Sequence, residues 1–340
     1  MRALVADPSA SPALSLADVP DPAPGPGQLL LDMEAASVNR GEIRTAAKQP
    51  PGTVIGWDVA GTVAALGEGV TTFDVGERVV ALSPSGGAFA EQVVVPAEWT
   101  APLPSACDDV TAATLPVAGV TAVAILRLAR VHAGDRVLVT GAAGGVGHLA
   151  VQVALQAKAT VTGQARSEER AAALRELGAE ALLHPGDGSP VDGEFDVVVD
   201  GIGGPMVGPL LDATAAGGRV VVYGNSADTE STFRVERFYS KGVTIYGFRV
   251  FTSVPPDQVV KDMAKLADQA ASGALSVKVQ ATAPLADALP LIRDLYDRKV
   301  TGKVVLTRST VTSGTPSFGA RESRGSTVTS AHPRSRASAT

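Results

Sequence analysis

Residues 137–154 read Val137-Leu-Val-Thr-Gly141-Ala-Ala-Gly144-Gly145-Val-Gly147-His-Leu-Ala-Val-Gln-Val-Ala154, and this stretch decides the fold. A short apolar run is followed by four glycines within seven positions and then by a second, uncharged run. This pattern predicts a buried strand, a tight glycine turn and a helix. A membrane-spanning helix is the poorer interpretation, because the glycines interrupt the apolar stretch.

The rest of the chain separates into two regions around this stretch. Downstream, apolar runs alternate with helical patterns; the predicted strands are 160–162, 196–199, 219–222 and 243–246, and the predicted helices are 167–177, 205–215 and 259–271. Such alternation is typical of a parallel, doubly wound sheet. Upstream, residues 1 to about 116 hold short apolar runs separated by Pro-Gly turns, which predicts a small β-barrel. We therefore expect an α/β chain with a barrel and a wound sheet.

The glycine turn predicts a dinucleotide site. Gly144 allows a pyrophosphate to approach the backbone, Gly147 permits close packing of helix against strand, and the helix N-terminus offers free N–H groups to phosphates. The sequence departs from the G-x-G-x-x-G pattern because Ala142 stands at its first glycine. A turn with a purely structural role is the alternative.

The residues after the second predicted strand favour NADPH over NADH. An NAD site usually has an acidic residue there, whereas this chain has Arg166, with Arg170 one helical turn later. Arginine pairs well with a phosphate through charge-assisted hydrogen bonds. The alternative is that both arginines lie on a solvated helix face with Glu168 and Glu169.

Composition excludes several other classes of protein. The chain of 340 residues has 29 Lys and Arg against 35 Asp and Glu, and this acidic balance argues against nucleic-acid or membrane partners. Its one cysteine, Cys107, excludes an internal disulfide and fits a cytoplasmic protein. Residues 309–340 include fourteen Ser and Thr and few apolar residues, so we expect a disordered tail.

The chain resembles the medium-chain dehydrogenase/reductase superfamily, and specifically its zinc-independent NADPH:quinone oxidoreductase (zeta-crystallin-like) branch. The motifs that carry the resemblance are Gly141-Ala-Ala-Gly-Gly-Val-Gly147, Leu115-Pro-Val-Ala-Gly-Val-Thr121, Gly76-Glu-Arg-Val, Ala88-Phe-Ala-Glu, Tyr223-Gly-Asn225 and Thr301-Gly-Lys303-Val. The resemblance implies a GroES-like catalytic domain formed by 1–116 with 277–308, a Rossmann NADP-binding domain at 117–276, a cleft between them, and a homodimer.

The sequence lacks the ligands of a catalytic zinc ion. Zinc-dependent relatives have a Gly-His-Glu turn where this chain has Gly56-Trp57-Asp58, and an early cysteine where it has the stretch 37–42. The four histidines are scattered, without ligand spacing. We therefore predict no metal, which leaves a simple carbonyl without a Lewis acid and favours acceptors that delocalise charge themselves.

The resemblance also implies the site residues. Asn39 and Thr121 are expected near the nicotinamide as catalytic groups, although Asn39 also suits a turn and Thr121 a helix start. The predicted cofactor-binding residues are Gly144, Gly145, Val146, Gly147, Arg166, Arg170, Gly224, Asn225, Phe248 and Lys303. Arg40 and Arg249 suit either an anionic substrate or solvent.

We therefore predict an NADPH-dependent reductase that transfers hydride to a quinone or an α,β-unsaturated carbonyl compound. Two alternatives stay open at this point: an NADPH-binding crystallin-like or regulatory protein with little catalysis, and an enoyl-thioester reductase of a biosynthetic pathway. A zinc-dependent alcohol dehydrogenase is the least favoured interpretation, since the ligands are missing.

Overall fold

The computed structural model describes residues 1–227 and 229–308, which form two large β-sheets with helices around them. The predicted disordered tail at 309–340 lies outside the described residues. No helix in the described ranges is long and apolar enough to cross a membrane.

The strands follow the order β1 (Arg2–Ala6), β2 (Leu14–Asp18), β3 (Gln28–Val38), β4 (Asp58–Leu66), β5 (Arg78–Leu82), β6 (Gln92–Pro96), β7 (Thr100–Pro102), β8 (Arg136–Val139), β9 (Thr160–Ala165), β10 (Glu180–Leu183), β11 (Phe195–Asp200), β12 (Thr214–Val222), β13 (Thr244–Gly247), β14 (Val279–Pro284) and β15 (Lys303–Thr307).

The α-helices are α1 (Arg40–Ala46), α2 (Asp109–Ala112), α3 (Val120–Leu128), α4 (Gly145–Gln156), α5 (Glu168–Glu176), α6 (Val207–Asp212), α7 (Val235–Ser240), α8 (Val250–Ser253), α9 (Pro256–Ala271) and α10 (Leu289–Tyr296). Short 3₁₀ turns span Ala97–Trp99, Gly204–Met206 and Leu285–Asp287, and a π-helical segment, Leu115–Gly119, leads directly into α3.

The second half of the chain forms the predicted wound sheet. Its six strands are all parallel and lie in the order β10-β9-β8-β11-β12-β13. The order reverses beside β8, so the carboxyl ends of β8 and β11 border the crevice where such folds bind ligands. Val137 and Val197 are completely buried, as expected for strands covered on both faces.

The first half forms most of a seven-stranded sheet that also includes β14 and β15. Its long strand β3 pairs antiparallel with β6 through Gln28–Asp32 and with β15 through Ala35–Val38. Strand β14 pairs parallel with β15. The chain therefore returns from the wound sheet to the first sheet after α9, and this return carries Lys303 to the boundary between the two sheets.

One predicted helix is longer in the sequence than in the structure. The helical pattern at 205–215 gives a 3₁₀ turn and then α6, which ends at Asp212. Thr214 instead begins β12 and pairs with Phe195 of β11. The chain at Thr214 therefore forms a strand because it pairs with β11, although its local sequence favours a helix. The predicted domain boundaries stay a prediction.

Candidate active site

The glycine turn after β8 brings a helix N-terminus to the edge of the wound sheet. Gly144 is the N-cap of α4, in an extended conformation, and no side chain caps the helix. A Cβ on Gly147 would lie 2.4 Å from the carbonyl oxygen of Gly141 and 2.8 Å from the Cα of Ala142. Only glycine allows the helix to approach the turn this closely. The first N–H groups of α4 are therefore open to a ligand.

A large cavity of about 690 Å³ lies between the two sheets, and we call it the main cavity. Every site residue predicted from the sequence lines it: Asn39, Thr121, Gly144, Gly145, Val146, Gly147, Arg166, Arg170, Gly224, Asn225, Phe248 and Lys303. The structure thus brings together residues from opposite ends of the chain. Their individual roles stay predictions.

A second cavity of about 460 Å³, the arginine pocket, shares Arg166, Arg170 and Arg298 with the main cavity. Lys278 and Glu169 are among its other lining residues. Ser167 caps α5 by accepting a hydrogen bond from the Arg170 N–H, which fixes the start of that helix. Partial burial, and then the charges of Arg298 and Arg170, lower the pKa of Arg166. An anion bound beside these charges would raise that pKa again.

Sequence reasoning missed Arg298. It follows α10, more than a hundred residues after Arg166, and it reaches the pocket only because the chain returns to the first sheet. Its guanidinium donates to the carbonyl oxygen of Ser226, in the loop after β12. No local motif marks this residue, so only the assembled fold could identify it.

A buried polar cluster surrounds Asn39 at the start of α1. Asp58 is completely buried and accepts hydrogen bonds from the Val117 N–H at 3.0 Å and from Asn39 Nδ2 at 2.8 Å. Lys303 Nζ donates to Asn39 Oδ1 at 2.7 Å and lies 3.6 Å from Asp58 Oδ2. Glu42 accepts the backbone N–H of Asn39. The amide of Asn39 is therefore held by a cation on one side and an anion on the other.

The protonation of this cluster is set mainly by burial. Burial raises the pKa of Glu42 well above 4.5, and the charge of Asp58 raises it further. Burial also raises the pKa of Asp58, although Lys303 and Asn39 oppose the shift. Burial lowers the pKa of Lys303, while Asp58 and Glu42 raise it. When Glu42 keeps its proton, the single negative charge of Asp58 cancels the positive charge of Lys303.

Aromatic residues line the main cavity near this cluster. Trp57 precedes Asp58, and its ring meets that of Phe251 edge to face, with centroids 4.9 Å apart. The Arg249 guanidinium lies 5.5 Å from the Phe251 ring centroid. Thr121 is 5% exposed, and its hydroxyl makes no hydrogen bond to another described residue. This end therefore offers an apolar surface with a few polar groups.

The loop after β12 closes the cavity opposite α1. Asn225 accepts hydrogen bonds from Arg44 Nη1 through its side-chain oxygen at 2.8 Å and its backbone oxygen at 3.2 Å. A Cβ on Gly224 would lie 2.7 Å from the carbonyl oxygen of Gly201, so this position tolerates only glycine. The hydrogen bonds between Arg44 and Asn225 thus connect α1 to the loop that follows β12.

The donor groups here do not fit a zinc ion. Among the described residues, neither a histidine nor Cys107 lines the main cavity, and the buried carboxylate of Asp58 is already paired with the ammonium of Lys303. Within 1–227 and 229–308, no three His, Cys, Asp or Glu side chains come together as a metal site. Zinc prefers Cys and His ligands in tetrahedral geometry.

The comparisons with known proteins identify the family. A model described as the alcohol dehydrogenase GroES-like domain matches residues 25–105, and one described as a zinc-binding dehydrogenase matches residues 145–269. A 2-haloacrylate reductase from Burkholderia sp is 32% identical over 304 residues, covering 83% of this chain and 91% of that protein. The chain belongs to the medium-chain dehydrogenase/reductase superfamily.

Solved structures place the chain within the zinc-independent quinone oxidoreductase branch of this superfamily. The quinone oxidoreductase from Coxiella burnetii has a TM-score of 0.79 at 26% identity, covering 91% of this chain and 99% of that one. A mycobacterial protein solved in complex with NADPH has a TM-score of 0.80 at 31% identity, covering 90% and 99%. The predicted family, fold class and oxidoreductase class are confirmed.

Not every curated relative has a comparable length. A mycocerosic acid synthase-like polyketide synthase from Mycolicibacterium smegmatis is 30% identical over 323 residues, but the chain spans only 15% of that protein. The chain is therefore similar both to proteins of about its own length and to a segment of a much larger synthase.

Proposed function

We propose that this oxidoreductase uses NADPH to reduce a quinone or an α,β-unsaturated carbonyl compound. The observation that carries the proposal is the division of the main cavity. One end combines an uncapped helix N-terminus with a group of arginines, and the other end combines aromatic residues with a polarised amide. The described residues that line the cavity include no His, Cys, Asp or Glu. The first end suits a phosphorylated dinucleotide and the second a conjugated acceptor.

The residues present fit NADPH. The absence of a Cβ on Gly147 lets the start of α4 pack closely on the turn that begins at Gly141. The uncapped N–H groups of α4 would hold the pyrophosphate. Arg166, Arg170 and Arg298 would hold the 2′-phosphate that distinguishes NADPH from NADH. The buried Nε of Arg40 has no hydrogen-bond partner among the described residues, as expected for a donor that awaits an anionic ligand.

When bound, NADPH would supply a hydride for the β-carbon of an enone. The C=C π electrons would then move onto the carbonyl oxygen, and water would supply the proton that ends on the α-carbon. The chain's own contribution is electrostatic. Lys303 donates to Asn39 Oδ1 and polarises the amide, while Asp58 takes one of its two N–H groups. The second N–H of Asn39 would stabilise the developing oxyanion.

Two further groups complete the acceptor end. The Thr121 hydroxyl, which makes no hydrogen bond to another described residue, would donate to the same oxygen. Trp57 and Phe251 form an apolar wall that orients a flat acceptor and excludes water. The names of the relatives support this acceptor class, since a 2-haloacrylate is an unsaturated acid and quinones are conjugated carbonyl compounds.

Turnover assays test the proposed function directly. NADPH and NADH oxidation should be followed with quinones, enones and simple aldehydes. We expect NADPH-dependent turnover of quinones or enones, unaffected by chelators. Turnover of aldehydes alone, or inhibition that added zinc reverses, would contradict the proposal. Tight NADPH binding without turnover of any acceptor would favour a binding protein with little catalysis.

We also propose that the enzyme is a homodimer and that it acts in the cytoplasm. The first statement rests on the family resemblance, and the second on the lone buried thiol of Cys107. Light scattering measures the first, because a dimer has twice the mass of the 34.4 kDa chain. A monomer at working concentration would contradict it.

A further inference from the structure

The main cavity is strongly cationic although the chain is acidic. Its lining contains seven basic side chains and no carboxylate within the described residues; the basic residues are Arg40, Arg44, Arg166, Arg170, Arg249, Arg298 and Lys303. None of its six arginines forms an ion pair with a described residue, whereas eight arginines elsewhere each do. Arginine charges left unpaired around a cavity indicate anionic ligands.

Arg249 has different surroundings from the arginines near Arg298. Arg40, Arg166 and Arg298 form one group, since Arg298 is the charge that most affects the pKa of both other residues, lowering each further beyond the effect of burial. They lie at the end occupied by phosphates in the proposed function. Arg249 belongs elsewhere. It follows Phe248, which comes directly after β13, and its guanidinium lies over the ring of Phe251.

The surroundings of Arg249 suit recognition of an acceptor. Its guanidinium makes no hydrogen bond to a described residue and lies over Phe251, 5.5 Å from the ring centroid. Phe251 in turn packs on Trp57, next to the cluster that holds Asn39. A cation held by its stem over an aromatic ring keeps its donors available to a ligand. The apolar wall and the free donors are therefore adjacent.

We infer that the acceptor carries an anionic group that binds Arg249, while its unsaturated carbonyl part lies against Trp57 and Phe251. This inference rests on the proposed function and narrows it, from conjugated acceptors in general to those with a carboxylate or a phosphate. The anion is held away from the reacting carbons, so it contributes binding and orientation and leaves the redox step unchanged. A free carboxylate and the phosphates of a coenzyme A thioester share this chemistry.

Matched acceptors separate charge from shape. The wild-type enzyme should be assayed with an enone that bears a terminal carboxylate and with the methyl ester of the same enone. An enoyl-coenzyme A and the corresponding N-acetylcysteamine thioester, which lacks phosphates, form the second pair. We expect kcat/KM for the charged member of at least one pair to exceed that of the neutral member by roughly tenfold or more. The responding pair identifies the source of the anion.

Variants assign the effect to Arg249. R249Q should lower kcat/KM for the charged acceptor by about tenfold to a hundredfold, leave the neutral acceptor and the KM for NADPH unchanged, and keep the melting temperature. R249K should retain part of the activity. R234Q, at an exposed arginine outside the cavity, is the matched control and should change none of these values.

Three results would overturn the inference. Equal kcat/KM for the charged and neutral members of both pairs would show that charge is not recognised. Equal losses of kcat/KM for the charged and the neutral acceptor in R249Q would mean that Arg249 contributes only to the shape of the site. A raised KM for NADPH in R249Q would assign it to the cofactor. In each case turnover of enones persists, so the proposed function stands; no turnover of any acceptor would remove both.

Discussion

The ammonium of Lys303 donates to the side-chain oxygen of Asn39 at 2.7 Å, and this contact joins the last strand of the chain to the start of its first helix. Lys303 also passes directly over the glycine turn, since a Cβ on Gly145 would lie 2.6 Å from its Cδ. One side chain thus links the helix that would hold phosphates to the amide that would face the acceptor.

Removing the lysine should destabilise the fold. Lys303→Met leaves Asp58 completely buried without its counter-ion, and breaking a buried ion pair typically costs about 3–5 kcal/mol. The double variant with Asp58→Asn should recover most of this loss. Denaturant unfolding measures both free energies. Equal stabilities of the wild type and Lys303→Met would mean that the pair contributes nothing.

The raised pKa of Glu42 should appear in the pH dependence of the unfolding free energy. Because its pKa is raised well above 4.5, the folded state binds the proton more tightly than the unfolded state. The resulting stability is present below about pH 4.5 and is lost as the pH rises through the folded-state pKa. The side chain of Glu42→Gln cannot ionise, so the unfolding free energy of this variant relative to wild type should increase between pH 4.5 and 8. The increase should be about 1.4 kcal/mol for each pH unit by which folding raises the pKa of Glu42.

The control for this measurement is Glu98→Gln, at an exposed glutamate. It should show no comparable change in relative stability across the same pH range. A flat difference between Glu42→Gln and wild type would mean that Glu42 ionises normally in the folded protein.

Substitutions in the arginine pocket should discriminate between cofactors. Arg166→Ala and Arg298→Ala each remove one phosphate partner, and each should raise the KM for NADPH by about tenfold to a hundredfold while leaving NADH nearly unchanged. Arg175→Ala is the control, because that residue pairs with Glu168 on the same helix as Arg170 but outside the pocket. Equal effects on both cofactors would remove the phosphate assignment.

The close approach of helix and turn should depend on Gly147. Gly147→Ala places a Cβ 2.4 Å from a backbone oxygen, which must shift α4. We expect a loss of about 1–3 kcal/mol in unfolding free energy and weaker NADPH binding, measured by denaturation and fluorescence titration. Gly247→Ala, whose Cβ meets nothing within 4 Å, should be neutral. Wild-type affinity in Gly147→Ala would contradict this role of Gly147.

The sequence predicted those parts of the site that are encoded locally. The turn at 141–147 and Arg166 follow directly from the spacing of glycines and strands, and both line the main cavity. Arg298 and the partnership of Lys303 with Asp58 were not predicted, because each depends on the return of the chain to the first sheet. In the sequence, Asp58 stood out only as the residue after Trp57, which replaces the histidine of the zinc-dependent relatives. Its complete burial became visible once β4 had been placed.

The same distinction applies to the fold. Strands with continuous apolar runs, such as Val197–Val199 within β11, were predicted close to their observed bounds. The end of α6 was predicted wrongly. Thr214 pairs with Phe195 in the sheet and so belongs to β12, and a local sequence pattern does not contain this contact. Local patterns predict elements, whereas pairing partners decide where those elements stop.

The most direct test of the account follows the hydride itself. The enzyme should be supplied with NADPH that carries deuterium at the transferable position of the nicotinamide, together with an enone, and the product should be analysed by NMR. We expect one deuterium at the β-carbon of a saturated ketone. Deuterium at the carbonyl carbon of an allylic alcohol, or a product without the label, would contradict it.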